Sequence, residues 1–151
     1  MYKRQAVLLP AFVADRDIAL AERSWPADPP GAYARLDRAV ALEPLSPEPW
    51  LTEGRIALRR GDTARAGAAL AEAAQRAPRA WYPRFLQGLA ASAAGDAERA
   101  RRALAAAHAR NPRDTLVLDA LRRAGGPRPV SLTEAQRRLD ARRRIQRTQG
   151  G

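Results

Sequence analysis

Along most of the chain, apolar residues recur three and four positions apart with polar residues between them, a spacing that predicts short amphipathic helices. The first is read over 15–24, with Ile18 and Leu20–Ala21 on its apolar side. The next follows Trp25-Pro26-Ala27-Asp28-Pro29-Pro30 and carries Ala32, Leu36, Ala39 and Leu42, ending before Pro44. Asp28 is a suitable N-cap there, and Pro29 suits a first helical turn, where its missing N–H costs nothing. Ser46-Pro47 repeats that start signal for a helix of about 47–60. Gly61 closes it in the left-handed conformation, Asp62 caps the next helix over 63–77, and Pro78 ends that one. Helices of about 81–94 and 97–110 follow, separated by Gly95-Asp96 and closed by Pro112. Thr115–Ala124 is read as a shorter helix after Asp114. Beyond Gly125-Gly126-Pro127, Ser131 and Glu134 have the spacing of a capping box for a last helix over 132–147.

The pattern is written twice. Gly54 recurs as Gly88, Gly61-Asp62 as Gly95-Asp96, Ala66 as Ala100, Leu70 as Leu104, Ala73 as Ala107 and Pro78 as Pro112, each 34 residues on. Aligning 50–79 with 84–113 gives 13 identities in 30 positions, where composition alone gives about three or four. Ala32, Leu36, Ala39 and Pro44 place the second half of the unit once more upstream. Asp114 lies 68 residues after Ser46 and opens a further unit that lacks its second helix. The expectation is an all-α α-solenoid of antiparallel helix pairs. It comprises two full repeats, a partial N-terminal repeat and trailing capping helices.

Composition narrows the chemistry. With no cysteine and His108 as its only histidine, the chain has little from which to build a metal cage or a nucleophilic triad, so an enzyme is not expected and no cofactor or metal site is assigned. The glutamates are read as surface carboxylates and His108 as structural or exposed. A formal net charge of +11 invites an anionic partner. Yet Lys3 is the only lysine, and heavy use of Ala, Arg, Gly and Pro is what a GC-rich bacterial genome imposes, so part of the charge reflects codon bias.

The ends differ from the middle. Residues 1–14 are read as an N-terminal arm. Met1–Gln5 match the translated tail of a transposase adapter used in sequencing libraries, so residues 1–5 are expected to be artefactual and the natural N-terminus to be missing. Ala6–Ala14 is apolar but too short to span a bilayer. It is either an arm on the end of the array or the stub of a truncated membrane helix. At the other end, 125–151 is a linker and an Arg-rich helix, with nine arginines in 122–147 against Glu134 and Asp140.

These residues resemble the tetratricopeptide repeat, a 34-residue helix-turn-helix unit with small residues where its two helices cross. Gly54, Ala66, Leu70, Ala73 and Pro78 match its signature, as do Gly88, Ala100, Leu104, Ala107 and Pro112, and the resemblance covers about 15–124. Glu53 and Gln87 stand where the family has leucine, and Arg84 where it has tryptophan, with Trp81 and Phe85 as alternative bulk. A second resemblance, carried by Leu36-Asp37-Arg38-Ala39, Glu43-Pro44-Leu45-Ser46 and Trp81-Tyr82, is to the C-terminal repeat domain of bacterial O-antigen ligase-like membrane proteins. That family's catalytic parts would lie in a missing membrane region, and no catalytic residue carries over.

The first resemblance implies a protein-interaction scaffold with a concave groove for a protein or peptide, lined here by Leu51, Thr52, Arg55, Arg59, Tyr82, Phe85 and Leu89. Arg55 and Arg59 lie one turn apart, where they suit a carboxylate or an acidic segment. The second implies an accessory domain of a truncated membrane ligase or polymerase. A third expectation is contact with anionic lipid or nucleic acid through Arg137, Arg138, Arg142, Arg143, Arg144 and Arg147. Base-specific readout and a small-molecule substrate are not indicated. The location expected is cytoplasmic, with a tether to the inner membrane under the second resemblance.

Overall fold

A computed structural model describes the chain from Gln5 to Gln149, with side chains described over 9–147. Among the described residues it is all-helical: α1 (Gln5–Ser24), α2 (Pro29–Leu42), α3 (Glu48–Arg59), α4 (Thr63–Arg76), α5 (Tyr82–Ala93), α6 (Ala97–Arg110), α7 (Thr115–Arg123) and α8 (Leu132–Gln149). The chain divides after Pro78 into two compact units. No helix among the described residues is long and apolar enough to cross a membrane.

In the first unit α1 packs along α2, α3 along α4, and α3 also meets α1 and α2. The apolar side of α1 reaches further toward the N-terminus than the periodicity over 15–24 suggests, because one helix runs through Pro10. Proline there forfeits a single backbone bond near the helix's first turns, a smaller loss than in a helix centre. The expected artefact at 1–5 lies outside the described residues apart from Gln5. A cluster of Ala21, Ala32, Leu36 and Ile56 joins the first three helices, with Ile18, Trp25 and Tyr33 packed against it. Trp25 thus covers the end of this core. Asp17 is buried beside it and is neutralised by Arg38, whose Nε and Nη2 donate at 2.7 and 3.0 Å, with Arg35 at 3.8 Å. A carboxylate taken out of water needs such partners.

The α3–α4 crossing depends on having no side chain at residue 54. A Cβ there would lie 2.5 Å from Leu70 Cγ, inside any tolerable contact. Ala66, Leu70 and Ala73 on the facing side of α4 are fully buried. In the second unit α5 packs along α6, and α6 against α7. Gly88 meets Leu104 there just as Gly54 meets Leu70, with Ala100 and Ala107 buried alongside.

The turns also match. Gly61 has φ +77°, its N–H bonds to Leu58 O at 3.1 Å, and Asp62 N–H reaches back to Ala57 O at 2.9 Å. This pair of bonds is a Schellman motif, which occupies carbonyls that the end of α3 would leave open. Asp62 then starts α4, its carboxylate accepting from Arg65 N–H at 3.0 Å. One residue closes one helix and opens the next. Gly95 and Asp96 repeat this, with bonds to Ser92 O and Ala91 O and a cap on Arg99 N–H.

At the start of α8 the capping box forms only by half. Ser131 Oγ accepts from Glu134 N–H at 3.2 Å, but the Glu134 carboxylate turns to Arg123, with Oε1 at 2.7 Å and Oε2 at 3.1 Å from its guanidinium. A charged, bidentate partner outcompetes a lone backbone N–H.

Candidate functional site

Most of the expected groove residues point inward. Leu51, Thr52, Phe85 and Leu89 are buried, Thr52 and Phe85 completely, and none offers a partner a side-chain surface. The reason lies in how much of each helix is covered. Pro49, Leu51, Thr52, Glu53, Gly54, Ile56 and Ala57 of α3 are all buried, so only a narrow strip of that helix reaches solvent. On α5 the same holds from Phe85 to Ala91, apart from half-buried Gln87. Tyr82 is half-buried, edge-on to Trp81 at 5.5 Å and stacked on Phe85 at 6.4 Å between ring centroids.

What remains open on α3 includes Arg55, toward α1, and Arg59. Arg55 lies half-buried there, its Nη2 donating to Thr52 Oγ1 at 3.0 Å and to the Glu22 carboxylate of α1. Thr52 has no exposure of its own. Its hydroxyl, by accepting from Arg55, restricts the directions the guanidinium can take. Arg59, one turn on, is exposed, with its Cζ 5.8 Å from the Trp25 ring centroid. Of the two arginines, Arg55 is paired with a carboxylate supplied by the chain itself, and Arg59 lies exposed near the Trp25 indole.

Glu53 is buried, not a surface carboxylate, at a position where the resembled family has leucine. Its Oε1 accepts from Arg65 Nε at 2.7 Å, and the Arg65 guanidinium lies 3.5 Å from the Tyr33 ring centroid. Burial pushes the Tyr33 phenol up despite the nearby positive charge of Arg65. The stack links α2, α3 and α4. No sequence periodicity marked it, because an acidic residue on an apolar face reads as an interruption until its partner is known.

In the second unit the six arginines of α8 divide into two sets. Arg138 and Arg142 face α7: Arg138 Nη1 donates to Asp119 Oδ2 at 2.6 Å, and Arg142 reaches Asp114 Oδ2 at 3.0 Å and Thr115 Oγ1 at 2.7 Å. The hydrogen bond from Arg138 holds the Asp119 carboxyl below its ordinary value, and Arg123 adds to the effect. Arg137, Arg143, Arg144 and Arg147 are exposed on the remaining circumference, with Arg143 3.9 Å from Asp140. The six therefore do not form one surface. Arg138 and Arg142 are internal partners.

Among the described residues there is no cluster of three or more side chains suited to hold a metal ion. His108 lies half-buried on α6, its Nδ1 without a hydrogen-bond partner. Comparison with known proteins finds no matching family model and no matching curated relative.

Proposed function

We propose that the chain is a non-catalytic protein-interaction module of the tetratricopeptide type, and that the α1–α3 face of its first unit takes an acidic segment of a protein partner. The observation that carries the reading is the pairing of Arg55, aimed by buried Thr52, with exposed Arg59 one turn away. A guanidinium already held in place loses less freedom on meeting a carboxylate than a mobile one. Glu22 marks the position such a carboxylate would take beside Arg55. The array reading is supported by the matching crossings at Gly54 and Gly88 and the matching turns at Gly61-Asp62 and Gly95-Asp96.

The test is titration calorimetry of the full chain with an acidic peptide and with its amide counterpart, in which Gln and Asn replace Glu and Asp. The acidic peptide should bind the wild type at least tenfold more tightly, a difference of about 1.4 kcal/mol. Arg59→Glu should remove that preference. Equal affinity for both peptides, or a preference untouched by Arg59→Glu, would refute the assignment.

A further inference from the structure

Helix α8 is joined to α7 by a charged seam in regular register. Thr115 faces Arg142, Asp119 faces Arg138 and Arg123 faces Glu134. Going four residues up α7 goes four residues down α8, so successive turns of two antiparallel helices meet. Asp114 adds a second acceptor for Arg142, and Asn111 Nδ2 lies 3.4 Å from the same Asp114 oxygen. The apolar part of the docking is confined to the beginning, where Val130, Leu132 and Ala135 are buried, with Leu139 half-buried beyond them. From Arg138 onward the named contacts to α7 are ionic or polar. The intervening 125–129 stretch holds two glycines, and Gly125 has φ +77°.

Apart from the Asp114 side chain, which is 9% exposed, the partners in these ion pairs are about one-third exposed, so the distal part of α8 is held weakly and is open to competition from other anions. The same helix carries Arg137, Arg143 and Arg147 on its outer side, already facing solvent. We propose that α8 is a latched membrane-surface helix: its outer arginines meet an anionic phospholipid surface, and its lipid-bound state exchanges Asp114 and Asp119 for phospholipid headgroups at Arg142 and Arg138. Undocking exposes Leu132, Ala135 and Leu139, which lie along one side of the helix. A bilayer interface accepts apolar side chains together with arginines, whereas nucleic-acid phosphates use the arginines alone. That difference selects the lipid surface. Each arginine released from the seam adds to the attraction near a negatively charged leaflet. The carboxylates of α7 are therefore competitors that set the strength of lipid binding. This proposal concerns the second unit and is independent of the acidic-segment reading of the first.

The experiment is co-sedimentation of the full chain with phosphatidylcholine vesicles, with and without phosphatidylserine, for the wild type and two variants. Asp119→Asn leaves the Asp114 cap of α7 intact, and thermal melts confirm that each variant is folded. The wild type should bind only the phosphatidylserine vesicles, Asp119→Asn should bind them several-fold more tightly, and Arg137→Gln/Arg143→Gln/Arg147→Gln should bind about tenfold more weakly. Hydrogen exchange across 132–147 should rise for Asp119→Asn in the absence of vesicles. A passive basic platform would show Asp119→Asn binding equal to or weaker than the wild type, and that result overturns the latch. Equal binding to both vesicle types, or binding to a short DNA duplex without binding to vesicles at the same salt, overturns the lipid surface as the ligand.

Discussion

Three glycines of the first unit sit in three different settings, and each answers differently to alanine. At Gly54 the added methyl would collide with Leu70, so Gly54→Ala should destabilise the fold by about 1–3 kcal/mol. At Gly61 there is open space, but φ is +77°, so Gly61→Ala meets only backbone strain of about 1–2 kcal/mol. Gly67 lies within α4 with nothing near its Cβ position, and Gly67→Ala should stabilise by about 0.5–1 kcal/mol. Urea denaturation of the three variants checks the set, and a stabilising Gly54→Ala would contradict the crossing. Gly54 and Gly61 were legible beforehand because their 34-residue recurrence marks a requirement independent of composition. The burial of Glu53 was not legible. A carboxylate on an apolar face makes sense only once Arg65, from another helix, is seen to meet it.

At the scale of the elements, helix starts and stops were read well wherever a backbone signal decides them. Asp28, Asp62, Asp96 and Asp114 each cap a helix, and the boundaries from α2 to α7 fall within about two residues of those expected. The misreadings arise where tertiary partners decide. α1 starts well before the expected 15–24 and continues through Pro10, and Glu134 pairs with Arg123 instead of completing the capping box. The same seam gives α8 a definite pH dependence. Asp119 faces Arg138 on α8 and Arg123 on its own helix, with Glu134 sharing both arginines, and its folded carboxyl titrates below the ordinary 3.8. A depressed carboxylate contributes stability that is complete above its unfolded value and is lost as pH falls through the folded one. Amide protection factors along α8, the exchange rates normalised to the intrinsic rate at each pH, should therefore be unchanged from neutral pH down to about 5 and should fall once the pH drops below the ordinary carboxylate range. In Asp119→Asn that acid step should shrink. Raising salt at neutral pH should loosen the same helix, because half-exposed ion pairs are screened.

For the whole molecule, helical content and the doubling of the helix pair were accessible from the sequence, while the burial of most expected groove residues was not. The periodicity that identifies a helix face does not say how many neighbours cover it. Leu51, Thr52, Phe85 and Leu89 are spaced as groove residues would be, but they are buried, and Thr52 serves the site only by aiming Arg55. Arg59 survives as a candidate because its side chain is exposed, and Arg55 because its guanidinium already meets a half-exposed carboxylate, Glu22. The account of function rests on those two side chains. It is tested most directly by NMR titration of the full chain with an acidic peptide, following the Arg55 and Arg59 side-chain Nε–H signals and the Trp25 indole N–H. These three signals should move together with ligand while the amides of Gly95 and Asp96 stay fixed. Shifts confined to the second unit, or no shift at any of the three signals at saturating peptide, would contradict it.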